Sequence, residues 1–101
     1  MPLSYQLRGK EASIHVRGHF NFSLHSDFHA ACRAILASDS IQSVEIDLQD
    51  TDYLDSSALG MLLVLREQAA PRGYKLLITN ARPALRQILA IACFDKFFQI
   101  D

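Results

Sequence analysis

Apolar and polar residues alternate at the start of the chain. Leu3, Tyr5 and Leu7 are interleaved with Ser4 and Gln6, and Ala12, Ile14 and Val16 with Ser13, His15 and Arg17. Arg8-Gly9-Lys10 lies between the two runs. A period of two on both sides of a glycine turn predicts a β-hairpin with one buried face. Gly18-His19-Phe20-Asn21 interrupts the alternation. From Ser23 the period lengthens: Leu24, Phe28, Ala31, Ile35 and Leu36 form one helical stripe, with Ser23 or Asn21 as its N-cap and an end near Ser38-Asp39-Ser40. Ser43–Leu48 alternates again and predicts a strand, followed by a loop over Asp50–Asp55.

The segment from Ser56 to Glu67 reads as a helix that is apolar almost all round at first, leaving little solvent-facing surface over its first turns. Ala70-Pro71-Arg72-Gly73 stops it. Lys75–Thr79 is a short apolar strand. Pro83 fits the first turn of a third helix carrying Leu85, Ile88, Leu89 and Ala92 on one face. Phe97–Ile100 reads as a closing strand. The predicted order is β-β-α-β-α-β-α-β. This is an α/β chain with a mixed sheet of four to five strands and three main helices, forming one domain over residues 1–101.

Composition narrows the function classes. Half of the 101 residues are apolar, enough for a core. Ten basic against eleven acidic residues give a formal charge of −1, which argues against direct nucleic-acid binding through a basic patch. The apolar runs Met61–Leu65 and Ile88–Phe94 are too short for membrane insertion, and the N-terminus lacks a signal-peptide pattern. Cys32 and Cys93 fall in apolar periodic segments and read as reduced core thiols of a cytoplasmic protein.

Catalytic motifs are missing. Gly9-Lys10 is followed by Glu11, so no phosphate-binding loop forms, and no dinucleotide fingerprint or nucleophile elbow is present. Asp47, Asp50, Asp52 and Asp55 come from one strand and one loop and read as solvated or helix-start acids. His15 and His19, and His25 and His29, are four apart, but no third ligand accompanies either pair. No catalytic residue, metal site or cofactor is assigned. Phe20, Phe22 and Phe28 read as core and hinge packing.

The informative stretch is Asp52-Tyr53-Leu54-Asp55-Ser56-Ser57-Ala58-Leu59-Gly60-Met61-Leu62-Leu63. It resembles the phosphorylation motif of anti-sigma factor antagonists of the STAS domain family, an Asp-Ser-Ser/Thr-Gly-Leu-Gly turn between a central strand and an apolar helix. Gly18-His19-Phe20-Asn21 stands where the family has Gly-x-Leu-Asp. Ile91 to Phe98 is similar to its Leu-x-Gly-Leu-x-x-x-Phe ending. Four departures are Phe20 for Leu, Asn21 for Asp, Ala58 for Gly and Cys93 for Gly.

The resemblance implies a partner switch. The unphosphorylated domain binds an anti-sigma factor with serine-kinase activity and so frees the sigma factor. Phosphorylation at Ser56, or alternatively Ser57, weakens that binding, and a metal-dependent Ser/Thr phosphatase reverses it. ATP belongs to the kinase in this scheme. The residues expected at the partner surface are Asn21, Asp52, Asp55, Ser56, Ser57, Ala58 and Met61, with core packing expected of Leu59 and Leu62. The family also implies an alternative: a cytoplasmic accessory subunit of an ABC-type lipid transporter.

The physical argument is separable from the family. A serine at a helix start lies where backbone N–H groups lack partners. A phosphate of about −1.5 to −2 charges is tolerated there by the fold, yet costly against a docked acidic or apolar surface.

Overall fold

The two opening strands pair as the alternation predicts. β1 (Leu3–Arg8) and β2 (Glu11–Val16) run antiparallel through Gly9-Lys10, with Arg8 opposite Glu11 and Leu3 opposite Val16. Gly9 holds φ +61, a left-handed value that a two-residue hairpin turn demands. The computed structural model describes all residues, 1–101.

Two further short strands follow where the sequence reads as a break in the alternation and as a loop: β3 (Gly18–Phe20) and, later, β5 (Thr51–Leu54). They pair in parallel as a separate two-stranded sheet. Three and four residues are too few to establish a period of two, and the burial of β5 follows Thr51 and Leu54 instead of alternating.

The remaining elements are α1 (His25–Leu36), β4 (Ser43–Asp47), α2 (Ser56–Ala69), β6 (Lys75–Thr79), α3 (Pro83–Ile91) and β7 (Gln99–Ile100). The main sheet has the order β1-β2-β4-β6-β7, and every neighbour after the hairpin is parallel. Its strands and the three helices follow the predicted β-β-α-β-α-β-α-β; β3 and β5 are additions to it.

One core serves the domain. Ala12, Ile14 and Val16, Val44 and Ile46, and Leu76 and Ile78 fill one face of the sheet, where Phe28, Ile35, Leu62, Leu65, Leu85 and Leu89 of the helices join them. The opposite face, with Ser13, His15, Glu45, Asp47, Leu77 and Thr79, is half-exposed. Parallel strands joined by helices on one side produce this layering.

Several local expectations change. In β1 only Leu3 is buried; Tyr5 and Leu7 lie beside α1 but on the edge strand, with no further strand to close them off, and stay part-exposed. Asn21 caps a 3-10 turn over Phe22–Leu24, and α1 begins after it at His25. Phe22 lies exposed on that turn, unlike Phe20 and Phe28, which touch in the core at 5.6 Å. α2 is not apolar-buried all round: Ala58, Met61, Leu62, Leu65 and Ala69 form its buried face, while Gly60 and Val64 are exposed.

The closing strand shrinks to Gln99–Ile100 because Phe94–Lys96 forms a 3-10 turn that turns Phe94 and Phe98 inward. Cys32 is buried as expected, but Cys93 is exposed. Cys93 sits just past α3 with φ +59, in the left-handed region that ends helices and favours glycine.

Candidate functional site

The small sheet builds the site. β3 and β5 pair with Phe20 opposite Leu54, so the residues that follow them, Asn21 and Asp55, emerge side by side. The backbone N–H of Asp55 donates to the Phe20 carbonyl at 3.3 Å and closes the junction. Each of the two residues then caps a helical start. Asn21 Oδ1 accepts from the Ser23 backbone N–H (2.9 Å) and from Ser23 Oγ (2.6 Å). Asp55 Oδ1 accepts from the Ala58 backbone N–H (3.1 Å) and from Ser57 Oγ (2.6 Å).

Thr51 anchors this arrangement. It is the one buried polar residue, and its Oγ1 donates to the Val16 carbonyl at 2.8 Å, tying β5 to the end of β2. Gly18, at φ +74, donates its N–H to the Asp50 carbonyl at 2.9 Å, where the register between β3 and β5 shifts. A side chain would be strained at that φ, so the glycine is required by the bend.

The two serines differ. Ser57 is half-buried and its hydroxyl is committed to Asp55. Ser56, the first residue of α2, is exposed, and its hydroxyl makes no hydrogen bond within the chain. Asp55 is held below its ordinary pKa, first by the Ser57 hydroxyl and then by the Ala58 N–H, both of which stabilise the ionised form. The serine therefore stands beside a fixed carboxylate at a helix N-terminus.

The acidic cluster is dispersed by pairing. Asp47 Oδ1 accepts from Asn80 Nδ2 (3.1 Å) and from the Gln49 backbone N–H (3.0 Å). Asp50 pairs with His15 Nε2 at 2.8 Å, and Asp52 with Arg82 Nη1 at 2.9 Å. Asp52 thus does not stand as an unneutralised charge. No set of three or more potential ligands converges on one point. His25 and His29 stack on each other and His25 on Phe22, with centroids 6.3 and 4.8 Å apart.

Of the residues expected at a partner surface, Asn21, Asp55, Ser56 and Ser57 are brought together, and Asp52 lies three residues back on β5. Ala58 and Met61 leave the set. Both side chains are buried in the core face of α2, because they lie three residues apart on the same stripe as Leu62 and Leu65. Leu62 is fully buried and Leu59 partly so, in line with a packing role.

Sequence reasoning missed three exposed groups around the site. Phe22 is 66% exposed, beside Asn21, and Tyr53 is 51% exposed on β5, where His19 packs edge-on at 6.0 Å. Arg82 reaches in from the start of α3 to Asp52. An aromatic within two residues of each cap, Phe22 after Asn21 and Tyr53 before Asp55, was the available signal for the first two. Nothing in the local sequence links Arg82 to Asp52.

A family profile described as "Mlab, STAS domain" matches residues 3–100. The chain belongs to the STAS domain family. It is 39% identical over 93 residues to a STAS-domain containing protein of Pseudomonas aeruginosa (strain UCBPP-PA14), covering 92% of this chain and 90% of that protein. Among solved structures, an anti-sigma factor antagonist from Mycobacterium paratuberculosis superposes with a TM-score of 0.82 at 21% identity, over 97% of this chain and 82% of that one. The STAS domain of a SulP transporter from Vibrio cholerae gives 0.75 at 21% identity, over 90% and 70%. These two likenesses establish that STAS domains of both kinds share the fold of this chain.

Proposed function

We propose that this STAS domain is an anti-sigma factor antagonist switched by phosphorylation of Ser56. The observation that carries the reading is the state of the Ser56 hydroxyl: exposed, unbonded and at the first position of α2, while Ser57 is tied to Asp55. Unphosphorylated, the domain binds an anti-sigma factor with serine-kinase activity through Asn21, Asp52, Asp55, Ser56 and Ser57, and the sigma factor is freed. A phosphate on Ser56 faces the N-terminal end of the helix dipole, so it is compatible with the fold. Next to the ionised Asp55 it makes the contact strongly negative and costly to desolvate, so the partner is released. A metal-dependent Ser/Thr phosphatase restores binding. The domain acts in the cytoplasm, carries out no chemistry of its own and uses no cofactor, because the kinase brings the ATP.

The test uses the purified chain with its cognate kinase and ATP, and mass spectrometry to place the phosphate. Phosphate on Ser56, its loss in Ser56→Ala and at least a tenfold weaker complex with Ser56→Asp (about 1.4 kcal/mol) are the expected results. Undiminished binding of Ser56→Asp overturns the switch.

A second reading is an accessory subunit of an ABC-type lipid transporter, since the fold also serves a transporter's STAS domain. It predicts stable co-purification with an ABC ATPase, independent of Ser56. The unengaged Ser56 hydroxyl favours the first reading, because a permanently bound subunit has no need of an accessible acceptor.

A further inference from the structure

Two serines stand next to each other at the start of α2, and only one hydroxyl is engaged. Asp55 is the cap, Ser56 the first helical position, Ser57 the second and Ala58 the third. A cap side chain reaches back to the second and third positions, whose N–H groups point toward it. Asp55 Oδ1 uses that reach twice, on the Ala58 N–H at 3.1 Å and on Ser57 Oγ at 2.6 Å. The first position lies beside the cap and outside its reach. Ser56 therefore stays exposed, with a hydroxyl bonded to nothing in the chain.

The molecule repeats this geometry at the neighbouring helical start. Asn21 caps it from a similarly extended backbone, at φ −141 and ψ −171 against −115 and −174 for Asp55. Asn21 Oδ1 accepts from Ser23 Oγ at 2.6 Å, the distance also found for Ser57. Phe22, in the place of Ser56, projects into solvent. Two starts with different surroundings thus treat their positions alike. The first position turns outward, and the serine at the second folds back onto the cap. Ser23 is exposed and still engaged, so the cap and not burial accounts for the engagement. The bond needs an Oδ1 acceptor and not a charge, since an asparagine amide makes it as well.

We propose that Asp55 selects Ser56 over Ser57 as the phosphoacceptor, by holding the Ser57 hydroxyl on its Oδ1. The inference rests on the phosphorylation of Ser56 proposed above. In the transfer a serine Oγ attacks the γ-phosphorus of the ATP that the kinase brings. An Oγ–P bond forms, the bond from that phosphorus to the bridging oxygen breaks, and ADP leaves. The hydroxyl proton passes to a basic group of the kinase. Ser56 presents its oxygen as it stands. Ser57 must first give up a hydrogen bond to an ionised carboxylate and turn away from the helix. Such charge-assisted bonds are about twice as strong as neutral ones. Asp55 touches none of the transferred atoms and acts through Ser57, so it is a positioning residue.

The test reads the ratio of phosphate on the two serines, which does not depend on how tightly a variant binds the kinase. The parent chain, Asp55→Asn and Asp55→Gly are incubated with the anti-sigma factor kinase and ATP, and fragmentation mass spectrometry places the phosphate. Asparagine keeps the acceptor, as Asn21 does, and is expected to direct phosphate to Ser56 like the parent. Glycine is nearly as good a cap but carries no acceptor. It is expected to raise the share of phosphate on Ser57 by about tenfold or more. In a Ser56→Ala background, Asp55→Gly is expected to restore phosphorylation, now on Ser57. Circular dichroism checks that Asp55→Gly keeps the helix content of the parent. A second measurement needs no kinase. By NMR, the Ser57 hydroxyl proton of the parent is expected to exchange with solvent about tenfold or more slowly than that of Ser56. The protection should persist in Asp55→Asn and vanish in Asp55→Gly. No phosphate on Ser57 in Asp55→Gly, or equal hydroxyl exchange at the two serines of the parent, overturns the selection and leaves phosphorylation of the parent at Ser56 standing. A parent chain phosphorylated at neither serine overturns the switch itself, and the selection with it.

Discussion

The two cysteines show how one residue type takes opposite characters. Burial without a charged partner pushes the Cys32 thiol up to about 12, so it stays protonated and inert. Cys93 is exposed past α3. Titration of the native chain with a thiol reagent should therefore give one fast equivalent, abolished by Cys93→Ser, and the second only on denaturation. Cys93 is also a β-carbon residue held at φ +59. Cys93→Gly should raise stability by about 1 kcal/mol, by relief of the left-handed penalty less the entropy glycine adds to the unfolded chain. Urea denaturation measures it. Asp55 gives a pH signature. Its native pKa is lowered, so its contribution is fully present above the ordinary carboxyl range and is lost as pH falls through the lowered value. Asp55→Asn should flatten the acid limb of the stability profile below about pH 4. An unchanged limb would show that the cap does not favour the ionised form.

At the scale of elements, the decisive unit is the β3–β5 pair, which places two helix starts side by side. Thr51 holds it to β2 through the Val16 carbonyl. Thr51→Val keeps the shape and leaves a buried acceptor unpaired, so it should cost about 1 to 3 kcal/mol. The affinity for the partner should fall more than for an equally destabilised core variant such as Ile46→Val. Equal effects would remove the positioning role of the strand pair. The longer elements were legible in the sequence because each had enough residues to establish its period: the hairpin, α1, β4, α2, β6 and α3 all lie within a few residues of expectation. β3 and β5 were not, since three and four residues cannot establish one, and their burial comes from being pressed against α1 and α2.

For the whole molecule, near-neutrality gives a modification its leverage. The formal charge is −1, and one phosphate adds about −1.5 to −2. Phosphorylated chain should be resolved from the parent by anion exchange, with Ser56→Asp eluting between them. The fold itself rests on one apolar cluster between sheet and helices. Leu62, fully buried on α2, is the natural probe: Leu62→Ala should cost about 2 to 5 kcal/mol. The Arg82–Asp52 pair is exposed on both sides. Arg82→Ala should change stability by under about 1 kcal/mol.

Periodicity determined the class of fold, the faces of α1 and α3 and the chain order of the main elements, because burial of alternate or every third to fourth residue is imposed by the backbone itself. The Asp55-Ser56-Ser57 turn was equally plain, since a cap and the residues beside it are local in sequence. Tertiary structure alone decided which stripe of the apolar α2 faces the core, with Ala58 and Met61 on it, that Arg82 neutralises Asp52, and that Tyr5 and Leu7 stay part-exposed on the edge strand. Each of these depends on distant chain segments meeting, or failing to meet, in space. A pattern read along the chain carries no term for that.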